Sequence, residues 1–193
     1  MKSKQSPRVV ESFTKFQPNV NYSAVVARLL TTVPDQYLTG LDSIVVCDLA
    51  GQTRKHRTGT LPSRGRKVRR DRVAGLYHSA YSGNRAWVQL FADNISLPPR
   101  YLHWVPLVLD FYIGDVLYHE LGHHVHTLRP EHREKEDVAE AWQRRFLIRH
   151  LKHRYWYAYP FFWCFTRVCR VIMAYDKIRR SAKECLRDKK VGT

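Results

Sequence analysis

The chain has 193 residues, 44% apolar and 26% charged, the size and composition of one globular domain with a real core. Thirty-three Lys and Arg against 17 Asp and Glu leave a formal net charge of +16, which predicts attraction to an anionic surface, nucleic acid or an acidic membrane face. The four cysteines follow no CxxC spacing and the first residues, MKSKQSPRVVESF, hold no apolar signal core, so the expectation is a reduced, intracellular, cytoplasmic protein.

Residues 1–20 are polar and read as a loosely ordered lead-in to a domain over 21–153. In NYSAVVARLLTTVPDQYL, Val25, Val26, Leu29 and Leu30 fall on one face of a short helix that ends before Pro34. LDSIVVCDLA reads as a buried strand around Ser43 to Asp48, with Cys47 a buried thiol rather than a ligand. The basic segment 54–72 follows, with nine Lys or Arg against the single acid Asp71. Gly59, Pro62 and Gly65 punctuate it, and it reads as a mobile loop. Such a loop can neutralise phosphates of a nucleic acid non-specifically, but it has no interleaved aromatic residues and no base-reading motif. VAGLYHSA and RAWVQLFAD, joined by YSGN, read as two strands and a hairpin turn.

From Pro106 to Leu128 the pattern is helical, with Pro106 suited to the first turn and Pro130 just past the end. A second helix begins near Glu131, acidic first and basic later, the order that complements its dipole. Residues 154–193 read as an aromatic and basic helical segment. Eight of the eleven residues of YWYAYPFFWCF are aromatic, and nine Lys or Arg lie between Arg167 and Lys190. Arg167 and Arg170 interrupt the apolar run, so it is too short to span a bilayer. Tyr and Trp beside Lys and Arg suit a lipid interface, which makes 155–190 a candidate contact for an anionic membrane; ordinary packing on the domain is the alternative.

The stretch YHELGHHVH carries the chemistry. His119 and His123 are four apart, so on a helix their imidazoles project from one face, one turn apart, a spacing that suits one zinc ion. Glu120 follows the first histidine, where a carboxylate can act as general base on a water. Two histidines leave zinc short of ligands, and the second helix offers more. The connection around Arg129 and Pro130 is short, so the two helices form an antiparallel hairpin in which residues equally far from the turn face each other. His123 and Glu136 are then level, each roughly 7.5 Å from the turn at 1.5 Å per residue. One turn out, His119 is level with Glu140, and beyond that Asp115 with Arg144. Glu136 is therefore the expected third ligand, with Asp137 the alternative. Glu140 is placed to accept the second N–H of His119, a partner that metal-bound histidines usually have.

HELGH followed by a glutamate helix in EDVAEAW resembles the gluzincin zinc peptidases, and the short connection and small size are most similar to the minigluzincins, over roughly residues 73–150. The resemblance implies two histidine ligands and one glutamate ligand, the places of His119, His123 and Glu136, and an acidic partner four residues on, the place of Glu140. It also implies an edge strand ahead of the HExxH helix that holds extended substrate. Ala86, Trp87, Val88, Gln89 and Leu90 stand there, with Trp87 and Phe91 able to line a side-chain pocket. The third ligand position of the metzincin pattern is Arg129, which speaks against that clan. Gluzincins usually stabilise the oxyanion with a downstream His or Tyr, and Tyr101, His103, His132, His150 and His153 are not separable for that role. His124 and His126 are expected off the ligand face, at the surface or in local hydrogen bonds.

The expected fold is α+β: a small twisted sheet with its edge strand over the HExxH helix, and an antiparallel glutamate helix. The expected function is a metalloendopeptidase holding one Zn2+ per chain, with a peptide or protein substrate. The competing expectation is a zinc-binding HExxH domain that serves regulation or binding with little proteolysis, and a purely nucleic-acid-binding protein comes third.

Overall fold

A computed structural model of the chain describes residues 6–52, 59–63, 66–132 and 134–157. The C-terminal segment beyond 157, and with it nearly all of the expected membrane contact, lies outside the described residues, as does part of the basic segment, 53–58 and 64–65. Residues 1–153 form one compact unit and 154–193 another.

The first unit is mixed α/β. Among the described residues its strands and helices are β1 (Arg8–Ser12), α1 (Tyr22–Leu30), β2 (Leu41–Cys47), β3 (Thr60–Ser63), β4 (Arg66–Arg69), β5 (Gly75–His78), β6 (Ala86–Phe91), α2 (Pro106–Leu128) and α3 (Lys135–Arg154). Four strands make the main sheet in the order β1-β2-β6-β5, with β1 and β6 parallel to β2 and β5 antiparallel to β6. Val26, Leu29, Ile44, Val46, Val88, Leu90, Ile113, Leu117 and Leu121, all buried, join the sheet, α1 and α2 in one core.

The local signals explain the helices. Asn21 caps α1 by accepting from the Ala24 N–H, and Pro106 opens α2, where its missing N–H costs nothing. Four expectations change. The lead-in is not uniformly loose, since Arg8 to Ser12 pair with Ser43 to Cys47 as a strand. The described part of the basic segment is an antiparallel hairpin, Thr60–Ser63 against Arg66–Arg69, rather than an unstructured loop. The glutamate helix starts at Lys135, four residues later than Glu131. Finally, Ala86–Phe91 is not an edge strand. It is paired on both sides, and Ala86, Val88, Gln89, Leu90 and Phe91 are buried. Its main chain therefore has no open side for a substrate, and the edge next to α2 is β5.

Candidate metal centre

α2 and α3 pack antiparallel, and three contacts fix their register. A Cβ on Gly122 would lie 2.6 Å from the carbonyl oxygen of Ala139. Gln143 donates to Asp115 further out, and the His150 Nε2 lies 2.9 Å from Asp110 near the far end. Only glycine permits the first of these approaches, and it sits between the two histidines of HELGH. The backbone of α3 thus comes within van der Waals contact of α2 where Glu136 must cross to His119 and His123.

The donors converge there. Glu136 Oε2 is 3.5 Å from His119 Nε2, and Oε1 is 3.9 Å from His123 Nε2. One donor atom from each of these three residues lies within 4.8 Å of the others, and Asp137 is not part of that group. Ligands bound to a tetrahedral zinc at 2.0–2.2 Å are roughly 3.3–3.6 Å from one another. The separations are too long for hydrogen bonds and fit, with small side-chain adjustments, three ligands around one cation. The two imidazole rings stand perpendicular with centroids 4.9 Å apart, so their nitrogens approach a shared point without stacking.

Burial, then the neighbouring His119, His126 and Lys135, lowers the pKa of His123 to about 4, so its imidazole is neutral near pH 7 and offers a lone pair. Glu120 is buried beneath β5. Burial pushes its carboxyl up to about 8; the Tyr77 N–H opposes the rise and the Glu136 charge adds to it. A Cβ on Gly75 would lie 2.7 Å from the Glu120 Cγ and 2.9 Å from its Oε1, so β5 lies directly against the general-base candidate.

Other expectations resolve individually. Glu140 forms an ion pair with Arg144 at 3.7 Å, while Asp115 accepts from Gln143, so the expected Asp115–Arg144 pair gives way to partners one turn apart or across the groove. His124 is not at the surface. It is buried, with Nε2 3.1 Å from the Thr39 carbonyl and Nδ1 3.2 Å from the Tyr77 hydroxyl. Nε2–H must donate to the carbonyl, so Nδ1 accepts from Tyr77, and burial lowers the His124 pKa in keeping with that neutral form. His126 is half-buried and is not among the converging donors. Its Nδ1 is buried without a hydrogen-bond partner. Among the oxyanion candidates, His150 is fully buried against Asp110 and Thr32, and His103 Nε2 lies 2.9 Å from the Pro98 carbonyl. Both are committed to local structure.

Sequence reasoning passed over Gly75, Tyr77 and Gly122. A glycine inside an otherwise apolar strand is the usual mark of close backbone approach, which would have pointed to Gly75. Compared with protein-family models, curated proteins and solved structures, the chain finds no match. The geometry of the site stands without a relative beside it.

Proposed function

We propose that the protein is a zinc-dependent metalloendopeptidase of the gluzincin type, with His119, His123 and Glu136 as metal ligands and Glu120 as general base. The observation that carries this reading is the convergence of those three donors across α2 and α3, with a buried glutamate next to the first histidine. Held by His119, His123 and Glu136, a zinc ion would supply Lewis acidity to a water and to a peptide carbonyl. Glu120 takes the proton of the attacking water and delivers it to the leaving amine. Extended substrate lies along β5 rather than β6, adding a strand by main-chain pairing, which binds peptides with little sequence preference. Glu140 remains the proposed partner for His119.

The test is metal content on purified wild type, His119→Ala, Glu136→Ala and Asp137→Ala, together with cleavage of casein by wild type and Glu120→Gln. The expected result is about one zinc per chain, lost in the first two variants and kept in Asp137→Ala and Glu120→Gln. Casein cleavage should fall at least about a hundredfold in Glu120→Gln. Zinc in full amount without cleavage favours a binding or regulatory domain, and a metal-free wild type removes the proposal.

A further inference from the structure

β5 pairs with β6 on one side, and its other side is an edge of the sheet. The ladder determines which groups face that edge. The Phe91 N–H donates to the Ala74 carbonyl at 2.9 Å, and along an antiparallel pair the bonded residues alternate. Ala74, Leu76 and His78 therefore turn their main-chain groups to β6, and Gly75 and Tyr77 turn theirs to the edge. Those are the N–H and C=O groups that an added peptide strand would bond.

One of them is already engaged. The Tyr77 N–H donates to the Glu120 carboxyl. Glu120 reaches it because residue 75 is glycine, whose absent side chain leaves room for the Glu120 Cγ and Oε1 directly against the strand. The strand is not free to swing away from this contact. The Tyr77 hydroxyl lies 3.2 Å from His124 Nδ1, and His124 Nε2 is held 3.1 Å from the Thr39 carbonyl. Tyr77 is thus tied to α2 by its side chain as well as by its N–H, and of the two partners in the bond it is the Glu120 side chain that can yield.

We propose that Glu120 and an incoming peptide carbonyl compete for the Tyr77 N–H, so that strand addition at β5 is what releases the general base. Without peptide, Glu120 is bonded to the edge of the sheet and is not free for a water. A peptide carbonyl that takes over the Tyr77 N–H leaves Glu120 without that donor and able to accept from the attacking water instead. The device favours extended peptides, since a ligand with no main-chain carbonyl at Tyr77 leaves Glu120 where it is. The role of Glu120 in this inference rests on the peptidase reading; the competition itself rests on β5, Tyr77 and Glu120 alone.

The experiment has two readouts on the full chain. Amide hydrogen exchange at Tyr77, measured without peptide, should be at least about fivefold faster in Glu120→Ala than in wild type, the loss of one hydrogen bond. Calorimetric binding of a capped, uncharged hexapeptide of alternating threonine and valine is measured with a chelator present, so that peptide is bound and not cut. Glu120→Ala should bind it about fivefold more tightly than wild type. Glu120→Gln keeps an acceptor oxygen and should stay within about twofold of wild type. Unchanged Tyr77 exchange in Glu120→Ala, equal peptide affinity in Glu120→Ala and wild type, or no peptide binding by any of the three overturns the proposal. Glu120→Gln binding as tightly as Glu120→Ala also overturns it, because the carboxylate charge rather than the shared N–H would then set affinity. Casein cleavage is read separately. Competition without cleavage removes the general-base role of Glu120, and cleavage without competition removes this proposal alone.

Discussion

The α2–α3 hairpin holds two clusters of histidine and carboxylate, and they differ in one physical respect. Near the outer end, Asp110 is fully buried between His150 at 2.9 Å and Arg28, whose Nε lies 2.9 Å away, and Thr32 Oγ1 lies 3.0 Å from the other nitrogen of His150. Near the turn, Glu136 faces His119 and His123 at 3.5 and 3.9 Å, and all three residues are only half-buried. The first cluster is closed by its own hydrogen bonds and locks three helices together. In the second, the donors point at a common space without bonding one another, which is what a cation site requires and a structural pair avoids. Residue types alone therefore do not separate a ligand set from a structural network; spacing and closure do.

The largest effect that sharpens this contrast is Asp110→Ala. It strands the Arg28 guanidinium and a buried His150, and removing one partner of a buried charged pair costs about 3–5 kcal/mol. Urea unfolding should show that loss. At temperatures where the variant is folded, zinc content should equal that of wild type, because Asp110 lies more than two helical turns from His119. Zinc lost together with stability would mean that the two clusters are one cooperative unit and the contrast is false.

Gly122→Ala acts inside the second cluster, between its two histidines. Its methyl would meet the carbonyl oxygen of Ala139 at 2.6 Å and its Cα at 2.7 Å, backbone atoms that cannot rotate away. The helices must separate, at a cost of about 1–3 kcal/mol for overpacking, and Glu136 moves away from the histidines. Calorimetric titration with zinc should show affinity falling by more than the stability change alone explains, while far-ultraviolet circular dichroism stays helical. Unchanged zinc affinity would show that the close approach at Gly122 is not what positions Glu136.

Much of this arrangement was legible in the residues. Pro106 and the apolar spacing gave the full length of α2, and the short connection after Leu128 gave the hairpin that brings Glu136 to His119 and His123. What was not legible is pairing at a distance. RVVES has too few apolar residues to announce a strand, and it becomes one only because β2 offers an edge. AWVQLF did carry a signal against the edge position: a strand apolar on both faces belongs inside a sheet, since an edge strand usually shows polar alternation. The sequence order of β5 and β6 says nothing about which of them pairs with β2, so the edge fell to the wrong strand. The contacts of His124 with Thr39 and Tyr77 span 85 and 47 residues and were not legible either.

A third carboxylate extends the contrast to a site closed by backbone N–H groups alone. Asp48 is buried at the end of β2, and its oxygens accept from the backbone N–H groups of Thr14, Lys15, Phe16 and Gly51, at 2.7 to 3.2 Å. Burial by itself would raise its pKa, but the four donors outweigh that and hold it at about 2. The folded value lies below the ordinary 3.8, so the stabilisation is fully present above about pH 4 and is lost as pH falls toward 2. Holding the pKa at about 2 instead of 3.8 corresponds to about 2 kcal/mol. Asp48→Asn should lose about that much at pH 7, since an amide offers one acceptor oxygen where the carboxylate offers two, and it should flatten the acid limb of the stability curve between pH 4 and pH 2. Zinc affinity should not change, because the carboxylate anchors the segment after β1 and not the hairpin. An acid limb as steep in Asp48→Asn as in wild type would assign acid lability to other carboxylates, with those of the candidate metal centre next to be tested.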